Sequence, residues 1–428
     1  MGALVDRRHE VSLLAAASNT LFSHQKAELD EKFEFVIYKS PFDASKLEDI
    51  RKIFQEEVTR KSARGLRTAE HDLWFGQPIY PSFMPPPLMS FCDTMSFLER
   101  FTSVVSYTVT KLILKKNVLS TFEGIKEKRA IQPGKSLSNL LSRPQLHLVI
   151  SDIRVQELSR PLPPNIIPVG GITAEPAQPL DEKLEEFFER SGPHGVVVIS
   201  MGTSLSFDES SVQNIAGALS RLEQRVVWNH RGPRPNNIGN NTRLATWLPM
   251  NDVLGHPKTK VLVNHGGTST VLESIYHGVP MVLIPLANDM FDITDRAVCR
   301  GVAVKLNMPT LTGSILVDAI QKVISEPRYE QTSSHLSSVF KETTPSPLDT
   351  AVFWIEHVIK HGGDYLRPAS DQSMSLYQCM SLGDLLITVI GCVAFVKVIF
   401  YFAYLCIIVF NGSATIFKRV GFSSFTKL

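Results

Sequence analysis

Cysteine is scarce in this chain, which has five cysteines among 428 residues. Cys392 and Cys406 fall in an apolar run near the C-terminus, which leaves Cys92, Cys299 and Cys379 for the folded part. Three scattered cysteines exclude the dense disulfide framework of small secreted domains and permit one bridge at most. No spacing of cysteines and histidines is typical of zinc ligands, so we expect no metal site.

An excess of one charge is also missing. The chain carries 44 lysines and arginines against 42 acidic residues, a net charge of +2. No basic run is interleaved with aromatic residues, so the sequence excludes a nucleic-acid-binding surface and nucleic acid as a partner. Repeats and low-complexity tracts are absent too. With 43% hydrophobic residues, a chain of this length predicts two or three domains with ample core.

A convincing secretory signal is missing after Met1. Arg7 and Arg8 precede an apolar run at 11–17, but Ser12 interrupts this run. Its length also lies at the lower limit for the apolar part of a signal peptide. We therefore interpret the first residues as part of a folded domain.

One long hydrophobic run is present at 385–410, where 26 residues contain a single charge, Lys397. About twenty apolar residues span a bilayer, so this run predicts a transmembrane helix rather than a buried core helix. The tail at 411–428 contains Lys418, Arg419 and Lys427 and no acidic residue. The positive-inside rule then predicts a cytosolic tail, with the bulk of the chain on the other side of the membrane.

Between 181 and 345, short apolar runs alternate with segments of helical periodicity. This pattern predicts a doubly wound parallel sheet with a ligand at its carboxyl edge. Strands are expected at 196–200, 226–229, 261–263 and 281–284, and helices at 210–222, 269–277 and 315–324. Nearer the N-terminus we expect strands at 11–14, 33–38 and 146–150, and helices at 44–60 and 95–116. The proline- and glycine-rich stretch at 160–179 is interpreted as a linker.

The most informative stretch joins the strand at 261–263 to the helix at 269–277 through the turn Asn-His-Gly-Gly-Thr. A glycine turn at a helix N-terminus presents backbone N–H groups and a positive dipole end, which together form an anion site. His265 can add a donor to a diphosphate, and the Glu273 carboxylate can accept both hydroxyls of a ribose. Trp247 offers a flat face to a base. The alternatives are a core histidine, a solvated helix carboxylate and an ordinary core tryptophan.

The motifs WLPMNDVLGHP at 247–257, NHGGTSTVLE at 264–273 and YHGVPMVLIP at 276–285 resemble the signature of the UDP-glycosyltransferases. The animal branch of this family contains the UDP-glucuronosyltransferases and the ceramide galactosyltransferase. The resemblance implies an α/β fold with two Rossmann-like lobes in the arrangement called GT-B. It divides the chain into a truncated, shortened acceptor lobe at 1–160, a linker at 161–180 and a donor lobe at 181–345. Return helices and a juxtamembrane segment at 346–384, the transmembrane helix at 385–410 and the basic tail at 411–428 complete the division.

The resemblance also implies a set of donor-binding residues around the nucleotide and its sugar. They are Gly202, Thr203, Trp247, Met250, His265, Gly266, Gly267, Thr268, Ser269, Glu273, Asp289 and Met290. Met250 stands where the family has a glutamine near the uracil, and Met290 where it has the glutamine or histidine that reads the sugar. Ser269 replaces an asparagine near the phosphates. Each change removes a polar group, and a lost hydrogen bond costs about 0.5–1.5 kcal/mol. We therefore expect weakened donor binding.

The function implied is transfer of a hexose or hexuronic acid from a UDP-sugar to a hydroxyl of a lipophilic acceptor. The UDP-sugar is a co-substrate, and no cofactor is expected. The resemblance implies a single-pass protein of the endoplasmic reticulum membrane with lumenal lobes, and it allows an oligomer with itself or with paralogues.

The family's catalytic histidine would precede Met1, and its acidic partner would fall in the shortened zone at 61–77, so the catalytic residues stay unassigned. His9, His71 and Asp72 are not assigned this role. The alternatives are a catalytically inactive relative that partners active paralogues and an incomplete isoform.

Overall fold

The computed structural model describes residues 12–16, 34–38, 80–86, 89–113, 116, 119–128, 132–141, 144–158, 161–201, 209–286, 289–366 and 389–403. The chain divides into two compact units, Met1–Arg367 and Pro368–Leu428. The helix predicted at 44–60 lies outside the described residues.

Two parallel strand pairs lie in the first half of the larger unit. β1 (Ser12–Ala16) pairs with β2 (Glu34–Tyr38), and β3 (His147–Val149) pairs with β4 (Ile166–Pro168). The predicted strands at 11–14, 33–38 and 146–150 are therefore confirmed. β4 lies within the stretch interpreted as a linker, and its first residue, Ile166, is buried. The proline and glycine content of that stretch concealed a short apolar strand.

A six-stranded parallel sheet lies in the larger unit, in the order β10-β9-β8-β5-β6-β7. Its strands are β5 (Val196–Ser200), β6 (Arg225–Asn229), β7 (Thr242–Ala245), β8 (Thr259–Asn264), β9 (Met281–Leu283) and β10 (Ala303–Lys305). The predicted parallel sheet is confirmed. The order reverses beside β5, because β6 follows it on one side and β8 lies on the other. Ligands of open parallel sheets bind at the carboxyl ends of the strands near such a reversal.

Both faces of this sheet are covered, as a parallel sheet requires. In β5, Val196 and Val198 belong to one buried cluster, whereas Val197 and Ile199 belong to the cluster on the opposite face. The run of branched apolar residues therefore fills two cores at once. Burying one such side chain contributes about 1.5–3 kcal/mol, so the central strands fix the position of the loops at their ends.

Helices cover the sheet and extend beyond it. They are α1 (Phe97–Ile113), α2 (Ser120–Lys128), α3 (Leu137–Leu141), α4 (Glu182–Glu189), α5 (Glu209–Leu219), α6 (Met250–Gly255), α7 (Thr268–His277), α8 (Met290–Cys299), α9 (Gly313–Ser325), α10 (Pro327–Lys341) and α11 (Pro347–His361). Polar caps fix several N-termini: Asp181 accepts from the Leu184 N–H at 3.0 Å and Thr312 from the Ile315 N–H at 3.3 Å. Such caps contribute about 1 kcal/mol each.

The smaller unit is described at residues 389–403, which are helical and carry exposed side chains. Within the parts of the chain that the structure describes, no helix is long and apolar enough to cross a membrane.

A disulfide joins Cys92 to Cys299, the last residue of α8, across a sequence separation of 207 residues. Polar contacts reinforce this junction: the Ser90 hydroxyl donates to Asp295 at 3.0 Å, and the Lys305 ammonium donates to Ser90 at 3.2 Å. The Arg296 guanidinium pairs with Glu157 at 2.9 Å beneath the same helix. Together these contacts fix α8 against two earlier segments of the chain.

We predict that Cys299→Ser lowers the free energy of unfolding by about 2–5 kcal/mol, because a bridge across a long loop restricts the unfolded chain. Urea unfolding of the full chain in detergent, with and without reductant, measures the difference. Cys392→Ser is the matched control, since Cys392 is an exposed free cysteine. Equal midpoints for Cys299→Ser and the wild type under oxidising conditions would contradict the prediction.

Candidate functional site

The Asn264 side chain fixes the glycine turn after β8. Its Oδ1 accepts hydrogen bonds from the N–H groups of Gly266 at 2.8 Å and Gly267 at 3.0 Å, and its Nδ2 donates to the Ser200 carbonyl at 2.7 Å. Asn264 is fully buried. One amide therefore ties the turn to the end of the neighbouring strand β5. Sequence reasoning missed this role, although an asparagine two residues before a glycine is a common turn signal.

Gly266 has to be glycine in this turn. Its φ of +86° lies in the left-handed region, and a Cβ there would lie 2.7 Å from the Thr294 hydroxyl and 2.9 Å from the Met290 carbonyl. The close approach packs the turn directly on the first two turns of α8. The structure therefore brings Gly266 and Met290 together.

Gly267 is the N-cap of α7, and no side chain caps this helix. The N–H groups of Thr268, Ser269 and Thr270 belong to the first turn, where an α-helix offers no internal acceptor. Ser269 is exposed, and Thr268 is half-buried. This helix end can receive an anion from solvent, because free N–H groups and the dipole both favour negative charge.

His265 lies beside this helix end with its ring over Gly267, where a Cβ would lie 3.0 Å from Cε1 and Nε2. Its Nδ1 is buried and makes no hydrogen bond among the residues described. Burial lowers the pKa of the ring, while the Ser200 backbone and the charge of Asp289 oppose the shift. The imidazole is therefore neutral at pH 7. A buried ring nitrogen without a partner is costly to the fold, which makes it a candidate for ligand contact.

Glu273 lies in the second turn of α7 and is only 8% exposed. Its Oε1 accepts a hydrogen bond from the Thr173 hydroxyl at 2.9 Å. Burial raises the pKa of the carboxyl; the Thr173 hydrogen bond opposes this shift, and the charge of Asp252 adds to it. A solvated helix carboxylate, the alternative interpretation, does not describe this position.

The other predicted residues come from different parts of the chain. Trp247 is 64% exposed, so its indole is free to stack on a ligand and is no core residue. Met250 begins α6 and packs against the core cluster, and Asp289 is the N-cap of α8. Gly202 and Thr203 lie outside the described residues.

Sequence reasoning missed the contribution of the segment at 173–178, which we call the strap. Besides the Thr173 contact, the Glu175 N–H donates to Asn251 at 3.1 Å and the Gln178 N–H donates to Asp252 at 2.9 Å. The strap therefore runs beside α6 and α7. No local pattern could have revealed contacts between residues 74 to 100 positions apart.

A cluster of Glu185, Glu189 and His256 has ligand atoms close enough to hold a metal ion. The His256 Nδ1, however, accepts the Lys258 N–H at 3.1 Å, so the ring proton is on Nε2, which faces Glu185 at 3.2 Å. Neither nitrogen keeps a free lone pair for a metal. We interpret the cluster as a structural contact between α4 and the end of α6.

The sequence was compared with protein families and with known proteins, and the matches agree on one family. The profile of the family described as "UDP-glucoronosyl and UDP-glucosyl transferase" matches residues 70–420. Human 2-hydroxyacylsphingosine 1-beta-galactosyltransferase is 35% identical over 324 residues, which cover 74% of this chain and 60% of that protein. UDP-glucuronosyltransferase 1A7 of Mus musculus is 37% identical over 344 residues, which cover 80% of this chain and 64% of the relative. The chain thus spans less than two thirds of the length of these relatives.

Solved structures show the same fold. A UDP-glucosyltransferase from Polygonum tinctorium superimposes with a TM-score of 0.54 at 14% identity and covers 82% of this chain and 93% of that structure. The glycotransferase of kitacinnamycin gives a TM-score of 0.52 at 18% identity over 83% of this chain and 93% of that structure. The α/β GT-B fold implied by the resemblance is therefore confirmed.

We predict that Glu273→Gln raises the Tm at pH 7 by about 1–3 °C. A carboxyl whose pKa is higher in the folded chain stabilises the fold below its unfolded pKa, and this contribution is lost as the pH rises through the folded value. At pH 7 the buried charge therefore costs stability, and glutamine removes the charge while keeping an acceptor for Thr173. Thermal unfolding at pH 7 and pH 4 measures the effect, which should vanish at pH 4. Asp318→Asn, at an exposed carboxylate of α9, is the control; a lower Tm for Glu273→Gln at pH 7 would contradict the argument.

Proposed function

The chain belongs to the UDP-glucoronosyl and UDP-glucosyl transferase family, and we propose that it binds a UDP-sugar and serves its transfer to a lipophilic hydroxyl. The sugar would be a hexose or a hexuronic acid. The diphosphate would lie at the N-terminus of α7 beside His265, the ribose at Glu273 and the base on Trp247. Asp289 would face the donor sugar. Two similar relatives are named as a 2-hydroxyacylsphingosine galactosyltransferase and as a UDP-glucuronosyltransferase, which supports this proposal.

One observation carries this proposal: a helix end without a side-chain cap lies beside a neutral histidine whose buried Nδ1 makes no hydrogen bond among the residues described. A ligand with two phosphates would accept hydrogen bonds from the helix N–H groups and from the imidazole. A structural histidine would instead have both ring nitrogens satisfied by the protein, whereas Nδ1 of His265 is not.

An inactive relative that partners active paralogues is the second candidate, and Met250 supports it. Its side chain packs against the apolar core where the family has an amide near the uracil. Met290 likewise offers a thioether where the family has a glutamine or a histidine at the sugar. A hydroxyl acceptor also needs a positioned base, which typically contributes about 10² to 10⁴ in rate. We assign that role to none of the residues described.

We further propose that the lobes lie in the lumen of the endoplasmic reticulum, with the segment at 385–410 in the membrane and the basic tail in the cytosol. The disulfide between Cys92 and Cys299 supports this proposal, because disulfides form and persist in oxidising compartments and are rare in the cytosol. Association with itself or with paralogues remains part of the proposal.

We predict that UDP binds the full chain and that His265→Ala weakens this binding roughly tenfold, which corresponds to one hydrogen bond to a charged group. Calorimetric titration of UDP into the detergent-solubilised chain measures it. His335→Ala is the matched control, since His335 is exposed on α10. No heat at millimolar UDP with the wild type, or an unchanged affinity for His265→Ala, would overturn the donor site.

Turnover separates the two candidate functions. Microsomes containing the full chain are supplied with UDP-glucuronic acid, UDP-glucose or UDP-galactose against phenols, steroids and ceramide. Transfer with any pair that His265→Ala reduces supports the enzyme. UDP binding without transfer across the whole panel supports the inactive relative.

We predict that Asn240 carries an N-linked glycan. It begins the triplet Asn240-Asn241-Thr242, and its side chain is exposed ahead of β7. Since such glycans are added only in the secretory pathway, the lumenal proposal requires the triplet to be accessible there. Glycosidase treatment should increase electrophoretic mobility, and Asn240→Gln should abolish that shift while Asn236→Gln leaves it. Absence of a shift would remove this support for a lumenal lobe.

A further inference from the structure

The strap at 173–178 reaches the edge of the nucleoside half of the proposed site. Thr173 is exposed, yet its hydroxyl donates at 2.9 Å to Glu273, a buried carboxylate on α7. Two backbone N–H groups of the strap hold it in place on α6, at Asn251 and Asp252. The Thr173 hydroxyl therefore lies between the solvent and the Glu273 carboxylate. The following residues of the strap anchor its backbone to α6.

We propose that Thr173 is a positioning residue for donor binding, whose hydroxyl keeps the Glu273 carboxylate oriented and ionised for the two hydroxyls of a ribose. The role rests on the proposed donor site. It assigns to the strap, which the sequence presented as a linker, a part in nucleotide recognition.

The reason lies in the protonation state that a ribose needs. An ionised carboxylate is purely an acceptor and can take both ribose hydroxyls, whereas a protonated carboxyl must use one oxygen as a donor. Burial and the charge of Asp252 favour the protonated form of Glu273 and raise its pKa, and the Thr173 hydrogen bond opposes them. Loss of the hydroxyl would therefore move this pKa further up.

Several other charged or titratable groups lie on the elements packed around this carboxylate. They are Asp252 on α6, His277 on α7, Lys341 at the end of α10, His265 after β8 and Glu175 in the strap. Burial and the charge of Lys341 lower the pKa of His277 to about 4, so His277 stays neutral between pH 5.5 and 7.5. His265 belongs to the diphosphate half of the proposed site. Binding of pyrophosphate, which has no ribose, therefore measures any effect of pH on His265 separately.

The test uses the full chain in detergent with Thr173→Val, which keeps the side-chain shape, and Thr173→Ser, which keeps the hydroxyl. UDP and inorganic pyrophosphate are titrated into each protein at pH 5.5, 6.5 and 7.5. We expect Thr173→Val to weaken UDP binding roughly tenfold at pH 6.5, the scale of one hydrogen bond to a charged group. The loss of UDP affinity on acidification should begin at higher pH in this variant. Thr173→Ser should stay within about twofold of the wild type, and pyrophosphate should bind all three proteins alike.

The outcomes separate the two proposals. UDP binding by the wild type, with an unchanged affinity and pH profile in Thr173→Val, overturns the role of Thr173 and leaves the donor site intact. Equal losses in Thr173→Val and Thr173→Ser, or a parallel loss of pyrophosphate binding, show a general disturbance and also overturn it. A wild type that binds neither ligand overturns the donor site and this inference together.

Discussion

The arrangement of the site depends on one buried amide, that of Asn264. Through its oxygen it holds two consecutive glycine N–H groups, and through its nitrogen it reaches the end of the neighbouring strand. A buried amide with all these bonds made is rigid, and a partly bonded one would be costly, so the turn has one conformation. That conformation points the first N–H groups of α7 outward and brings His265 over Gly267. Everything proposed for the phosphates therefore follows from a residue that would not touch them.

Helix α8 also fixes the position of the glycine turn. Its first residue, Met290, packs its backbone against Gly266, and its last residue is covalently joined to Cys92. A helix fixed at both ends transmits position between them, because ten residues of α-helix form a nearly rigid rod about 15 Å long. The segment before α1 is thus mechanically connected to the loop expected to read the donor sugar. The two ends of this connection come from opposite halves of the sequence.

Local sequence patterns were sufficient for the β8–turn–α7 unit. An apolar run, a pair of glycines and a helical period occur there within twenty residues, and each has a direct structural meaning. The same patterns could not predict Thr173 beside Glu273 or Cys92 beside Cys299, because such pairs depend on how distant segments pack. They also concealed β4, whose two isoleucines lie among prolines and glycines. The exposure of Trp247 and the burial of Glu273 were open alternatives until packing decided them.

The separation of Cys92 from Cys299 sets a condition on how the chain is made. At about 5–20 residues per second, a ribosome needs roughly 10–40 s to synthesise the 207 residues between them. Throughout this interval the native partner of Cys92 has not yet been synthesised. Residues 1–298 hold no other cysteine, so an earlier disulfide of Cys92 could form only with another molecule. Such a mixed disulfide must be exchanged for the native one by attack of a thiolate, which takes seconds to hours depending on oxidant and isomerase. The maturation of this fold therefore depends on the redox state of Cys92 during synthesis as well as on packing.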